Sequence, residues 1–403
     1  MADRPLHVGL NLFYLVEQSG GAGTYAKELV QGILQEEPRT RFTAWVSKEL
    51  PPAYRETDWG QRIDWVELPF TVTHGPPGNF ALTMGSQWGV VPAHAAARGC
   101  DVVHGLANIT PIVAPRVATV VTVLDLIWIR YPQTMERRAT IGMKMVTPPS
   151  AKRADRVIAI SHAAKADLVQ TLSLPAAKID VTHLGVGDAT THTAPAPEPA
   201  LREKLGLGDA PVVLCVAQKR EHKNLLGLVR AHAQLADRSV RLVLPGAPTP
   251  HEAVLRAEAE LLGTADRVVF PEWLSRAELE GLYALATCFV LPSFEEGFGL
   301  PILEAMARDV PVATSNCSSL PEVAGDAALL FDPADPMAIA GCIDRLLADA
   351  ELRADLVVRG RERVAAFPWR ATAASTLETY RRAMGERGRN RWPRAGGRAC
   401  TSA

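Results

Sequence analysis

Twice along this chain, short runs of valine, isoleucine and leucine alternate with helical patterns, and nothing else in the sequence restricts the fold as much. The first half carries LHVGLNL, RFTAWV, IDWVEL, DVVHG, VATVVTVL and RVIAIS; the second carries VVLCVA, RLVLPG, RVVF, CFVLP, VPVAT and ALLF. A strand with one wet face alternates apolar and polar residues, whereas these runs are apolar almost throughout, as parallel strands covered by helices on both faces are. Strands that alternate with helices in this way build an α/β, doubly wound parallel sheet, and here the pattern predicts two of them.

A chain of 403 residues, 47% hydrophobic, has enough apolar material for two such cores. The stretch GVGDATTHTAPAPEPA (185–200) has linker composition. The expected organisation is a Rossmann-like domain over 1–188, a linker over 189–200 and a second Rossmann-like domain over 201–370. A final helix over 371–385 crosses back to the first domain, and a disordered basic tail with five arginines fills 386–403. A net charge of −1 argues against bulk nucleic-acid binding. The six cysteines include no CxxC pair and several sit inside apolar runs, so reduced buried thiols and a cytoplasmic location are expected. The start, MADRPLHVGLNL, has no apolar run that reads as a signal peptide or a membrane span.

The chemistry concentrates in SFEEGFGLPILEAMA, Ser293 to Ala307. CFVLP ends a strand, SFEEGFGL forms a loop, and Pro301 suits the first turn of a helix, where its missing N–H costs nothing. Ligands of open α/β sheets bind at such strand ends. The N–H groups of Gly297, Phe298, Gly299 and Leu300 can point at phosphate oxygens, helped by the helix dipole. Glu296 and Glu304 flank that cradle. Carboxylates repel phosphate, so they suit the hydroxyl-bearing ends of one molecule whose middle is a diphosphate. A nucleotide sugar has that layout.

The stretch resembles the retaining glycosyltransferases of family 4, which have the GT-B fold of two Rossmann-like domains facing a central cleft. The hallmark is Glu-x7-Glu, here Glu296-GFGLPIL-Glu304, and the likeness continues through AMARDVPVATSNCSSLPEVAGDAALLFDPADP. It is strong in the second half and looser in the first. The resemblance implies a sugar transfer from a nucleoside diphosphate to an acceptor hydroxyl of a glycan, a lipid-linked molecule or a small molecule, with retention and with no metal or other cofactor. Glu296 then contacts the transferred sugar and Glu304 the ribose. In VAQKREHKNL, the lysine that pairs with the donor diphosphate corresponds to Lys223; the accompanying arginine has no clean match, with Arg220 the candidate and Lys219 the reserve. The glycine-rich segment of Gly20, Gly21 and Gly23, ahead of a helix, lies across the cleft in the family.

Other positions carry weaker signals. VVTVLDLIWIRYP places Leu124, followed by Asp125, where relatives have His-Asp, so a donor sugar lacking a six-hydroxyl becomes an expectation. Ser161 either faces the cleft or caps a helix, and His104 and Asn108 either approach an acceptor or bond locally. Acceptor choice falls to the first-domain loops Phe70–Arg98 and Tyr131–Lys152; the basic, methionine-bearing helix within the second segment is a candidate for peripheral contact with the inner membrane face. No HExxH, Asp-x-Asp or GxSxG pattern occurs, and no metal site is expected. Gly21-x-Gly23-x-x-Ala26 mimics a dinucleotide fingerprint, but it stands too far from its strand and lacks the closing acid. A non-catalytic nucleotide-sugar binder, or another GT-B enzyme such as a phosphorylase or epimerase, is the alternative.

Overall fold

The computed structural model describes residues 4–16, 20–71, 79–186 and 193–391. The first sheet contains β1 (His7–Asn11), β2 (Arg41–Val46), β3 (Ile63–Glu67), β4 (Val102–Gly105), β5 (Ala118–Val123), β6 (Arg156–Ala159) and β7 (Ile179–Val181). The second contains β8 (Val212–Leu214), β9 (Arg241–Val243), β10 (Val268–Val269), β11 (Cys288–Leu291), β12 (Val312–Ser315) and β13 (Ala328–Phe331). Their orders are β3-β2-β1-β4-β5-β6-β7 and β10-β9-β8-β11-β12-β13, with every pairing parallel. β1, β5 and β11 are buried at every residue, which accounts for their unbroken apolar character. This is the GT-B arrangement. The strand β7 has only three residues, IDV, two of them half-buried, and gives no apolar run in the sequence.

The chain passes between the domains twice, side by side. Val186 donates its N–H to the Phe367 carbonyl at 2.9 Å. Gly185 lies so close to Trp369 that an added Cβ would stand 2.4 Å from its backbone nitrogen. After the second crossing, the helix Trp369–Arg391 packs on the helix Gly20–Glu36 and on β5 and β6. It runs past the expected end at residue 385, because Arg387 pairs with Asp155 at 2.8 Å and Glu386 with Arg156 at 3.1 Å. The first residues of the supposed disordered tail are therefore docked helix, and 392–403 lie outside the described residues. At the expected linker, residues 187–192 are likewise outside, and the helix Glu198–Leu205 already starts within it.

Two expectations about local structure need correction, and the helix expected within the second acceptor segment is present. Gly20, Gly21 and Gly23 form the first turn of their helix rather than a loop before it; Gly20, at φ +54°, starts it. The described part of Phe70–Arg98 is largely helical from Asn79 to Ala97, with 72–78 outside the described residues. Tyr131–Lys152 is mostly the helix Arg137–Arg153, on which Ile141 and Met145 are exposed beside Arg137, Arg138 and Lys144, while Met143 packs against the core. No described helix is long and apolar enough to cross a membrane. Burial pushes the thiols of Cys100, Cys215 and Cys288 up to about 12, so they stay protonated.

Candidate active site

β11 ends at Leu291 and delivers Ser293 to Gly299 to the interdomain face, after which the helix Leu300–Met306 begins. Gly299, at φ +101°, makes that corner; an added Cβ would be strained and would meet Leu320 at 2.6 Å. Pro301 falls in the first helical turn, as expected. The loop is fastened from behind by hydroxyls. Ser318 accepts the Glu296 N–H at 3.1 Å and donates to the Glu296 carbonyl at 2.8 Å, and Ser319 donates to the carbonyls of Glu296 and Phe298.

These clamps leave the Glu296 carboxylate facing forward. It accepts from Lys223 Nζ at 2.6 Å and from Ser293 Oγ at 2.8 Å. Lys223 arrives on the turn Glu221–Lys223, between β8 and the helix Leu225–His232. Asp125 faces the same cluster from the first domain. Burial raises its pKa above the ordinary carboxylate range, with the Ile127 N–H and Lys223 opposing and Glu296 reinforcing the rise. Beside them His222 is held near pKa 3, by burial first and then by Lys223 and Arg220. It is neutral at physiological pH, so the cationic charge here belongs to Lys223 and Arg220.

The remaining expected residues divide. Arg220 reaches the cluster and also donates to the Thr134 carbonyl of the first domain at 2.7 Å. Lys219, one position earlier, points inward: it is fully buried, donates to the Gly246 carbonyl at 2.5 Å and pairs with Glu252 at 3.1 Å. Its ammonium is consumed inside the second domain, so its place as reserve for the missing arginine is withdrawn. Phe298 directs its ring into a cluster with His183 and Phe367, which leaves only its backbone for a ligand. Ser161 is buried and caps its helix by accepting the Ala164 N–H, the second of the two readings, and it donates across the domain boundary to the Gly297 carbonyl at 2.8 Å. Asn108, in the left-handed region at φ +64°, holds the Leu124 N–H, so it braces that turn. His104 is wholly internal, bonded to Tyr380 and Thr122 at 2.8 Å each.

Gly297 lies tight against the first domain. A Cβ on it would stand 2.0 Å from the Leu124 carbonyl oxygen. Around that contact the domains are tied by Arg130 to Glu295 at 2.7 Å and by Gln133 to Glu221 at 2.7 Å. These ties span 165 and 88 positions of sequence, so no local pattern announces them.

Glu304 sits elsewhere, on a cleft of about 520 Å³ that also reaches Leu300, Gly20 and Gly23, while Gly21 is exposed outside it. The Glu304 carboxylate accepts no hydrogen bond among the described residues, because Arg308 spends its fork on Glu280 at 2.6 and 2.7 Å. Burial raises its pKa; Arg308 partly offsets this and Glu280 adds to it. A half-buried carboxylate that lines a cleft and has no donor among the described residues can accept ligand hydroxyls.

Comparison with known proteins bears on this arrangement. A family model described as "Glycosyl transferases group 1" matches residues 197–363, and one described as "Glycosyltransferase Family 4" matches 19–189. The MMP alpha-(1->4)-mannosyltransferase of Mycolicibacterium hassiacum is 31% identical over 382 residues, 86% of this chain and 87% of its own. The chain belongs to the family 4 glycosyltransferases. Another relative of this glycosyltransferase, the O-antigen chain mannosyltransferase B of Escherichia coli, is 33% identical over 236 residues; that match spans 58% of this chain and 62% of the relative, short of two thirds of its length. In solved structures the fold recurs in sucrose-phosphate synthase from Thermosynechococcus elongatus, at TM-score 0.74 and 24% identity over 94% of this chain and all of that one. It recurs in Anabaena HepE in complex with UDP and glucose, at TM-score 0.70 and 18% identity over 93% and 99%.

Proposed function

We propose that this family 4 glycosyltransferase moves a hexose from a nucleoside diphosphate to an acceptor hydroxyl, with retention at the anomeric carbon and without a metal. The observation that carries the reading is the Lys223–Glu296 ion pair at the mouth of β11, with Arg220 beside it and Asp125 facing it across the domain boundary. The two side chains are only 16% and 9% exposed, so water screens them poorly. An anionic diphosphate can take over the Lys223 ammonium, freeing Glu296 to accept hydroxyls of the sugar. At the other end, the unpartnered Glu304 accepts the ribose hydroxyls.

In the reaction the bond from the anomeric carbon to the diphosphate oxygen breaks, and its electron pair leaves with the diphosphate. The acceptor oxygen forms its bond on the face just vacated, and its proton passes to a departing phosphate oxygen. Negative charge grows on the leaving group, and the fixed cations Lys223 and Arg220 stabilise it without reorganising. The ties across the boundary keep water from the reacting centre while the domains are shut.

Relatives named mannosyltransferases make mannose the first donor sugar to test, and the HepE complex makes UDP-glucose the first comparison. Exposed Ile141 and Met145 beside Arg137, Arg138 and Lys144 support an acceptor presented at an anionic surface. The deciding experiment incubates the purified chain with a panel of sugar nucleotides and acceptors in the presence of a chelator. The anomeric configuration of the product is then read by NMR. Transfer with retention is expected; tight donor binding without transfer to any acceptor, inversion, or a strict metal requirement overturns the reading.

A further inference from the structure

Away from the Lys223–Glu296 pair, three side chains with metal-ligand chemistry meet across the domain boundary. His162 opens the helix His162–Leu172, His183 follows β7, and both belong to the first domain; Glu322 stands in the helix Leu320–Ala324 of the second. One ligand atom from each lies within 4.8 Å of the other two. His183 Nε2 is 2.5 Å from Glu322 Oε1. We propose that His162, His183 and Glu322 form a binding site for a divalent transition cation of the zinc class, and that an ion bound there holds the two domains shut.

Two imidazoles and one carboxylate are a donor set that suits borderline cations. Bond lengths of about 2.0–2.2 Å put tetrahedral ligand atoms roughly 3.3 Å apart. To take an ion, His183 Nε2 and Glu322 Oε1 must spread by a little under 1 Å from their 2.5 Å contact while the exposed His162 ring closes in. The supporting groups are already placed. The Glu322 carboxylate accepts the His162 N–H at 2.9 Å on both oxygens and the Ala163 N–H at 3.3 Å on Oε2, which orients it. Arg363 grips the same turn, donating to the carbonyls of Glu322 and Val323. The His183 ring is wedged against Phe298 and Phe367, with centroids 6.0 and 5.6 Å away. Such outer contacts fix ligand orientation in metal sites. A cation replaces the hydrogen bond between His183 and Glu322; Oε2 keeps its cap on the helix, and a fourth position stays open to water.

The ligands come from both domains, so a complete set exists only in the closed arrangement. A ligand shifts an equilibrium by its differential affinity for the two states. Next to His162, Ser161 bonds the Gly297 carbonyl, and His183 touches Phe298, so the ion would lock the loop that bears Glu296. Bound cation then slows the exchange of product for donor and lowers kcat without competing for the donor. The site escapes a motif search because its members are 139 and 160 positions apart.

The test titrates the full chain with Co²⁺ and follows its visible absorption bands, a readout independent of turnover. One Co²⁺ per chain, displaced by Zn²⁺, is expected. His162→Ala, a surface change with little bearing on folding, and His183→Ala should each weaken binding by about tenfold or more. Thermal melting with Zn²⁺ should rise in wild type by mass action and lose that rise in both variants. Undiminished Co²⁺ affinity in either variant, or no binding below millimolar Co²⁺, overturns the site. Binding at this cluster with no change in kcat overturns the locking role.

Discussion

The two sheets share one order over six strands, to which the first adds β7 at its edge, yet they use its reversal point in opposite ways. In each, the order turns between the first strand of the domain and the fourth, the place where open α/β sheets receive ligands. At that place the second domain sends outward a lysine, a glutamate and a serine, clamped from behind by Ser318 and Ser319. The first domain folds its polar groups inward. His104 on β4 is bonded to Tyr380 and Thr122, and Thr122 to Tyr25 at 3.0 Å, so that histidine joins a sheet to two helices instead of meeting a ligand. The same topology can therefore furnish either chemistry or cohesion, and the partners of each polar side chain decide which.

The comparison breaks most visibly at Glu296. Replacing it with alanine should cut transfer by roughly a thousandfold or more while nucleoside diphosphate binding, measured calorimetrically, stays near wild type. Weakened nucleotide binding with residual transfer would reverse the donor orientation. Lys223→Ala comes next. Leaving-group charge grows in the transition state, so kcat should fall about a hundredfold and the donor KM should change far less. An unchanged kcat would make Lys223 a binding residue only.

Glu304→Gln should weaken nucleotide binding by about 1–3 kcal/mol, and it should also raise the melting temperature at neutral pH. Burial holds the folded pKa of Glu304 above its unfolded value. Its contribution to stability is therefore complete below the unfolded pKa and lost as pH rises through the folded one, leaving the ionised form a cost that glutamine removes. Donor binding runs the other way in wild type, failing as pH falls through that same raised value. His104→Ala should strip about 1–3 kcal/mol of stability through its stranded partners, with kcat of the folded enzyme unaltered. Burial holds its pKa at about 3 against 6.5 for the free group, so its contribution is present above pH 6.5 and is lost as pH falls from there toward 3. A kcat effect at His104 would erase the contrast between the sheets. The smallest change is at Leu124, whose carbonyl abuts Gly297. Leu124→His should move the preference between a 6-deoxy donor and its hydroxylated counterpart by about 1 kcal/mol toward the hydroxyl. An unmoved preference in competition assays removes leucine from donor selection.

Much of this was legible in the chain itself. Apolar runs such as CFVLP and VATVVTVL are strands because both their faces are covered, a demand that shows directly in composition. The loop around Glu296 was legible because glycine, proline and acid there answer one local geometric problem. What escaped was non-local. Lys219 and Arg220 are neighbours in sequence but diverge, one to the interior and one to the cleft, since the tertiary partner of each sets its direction. Ser318 and Ser319 lay inside the quoted likeness without a visible task, because their task is to hold a loop from another strand. The short β7 is built by pairing with β6 rather than by its own hydrophobicity.

The paired crossings at Val186 and Phe367 have a consequence for how the molecule is made. The second domain is an insertion: the chain leaves the first domain before it is finished and returns to it only with the helix Trp369–Arg391. During synthesis, then, the later-made domain can complete its contiguous core while the earlier one still waits for Tyr380 to reach His104. Domains usually finish in the order they emerge; here the first to be translated is the last to close, and a chain arrested before residue 369 should show protease resistance in its second half and not in its first.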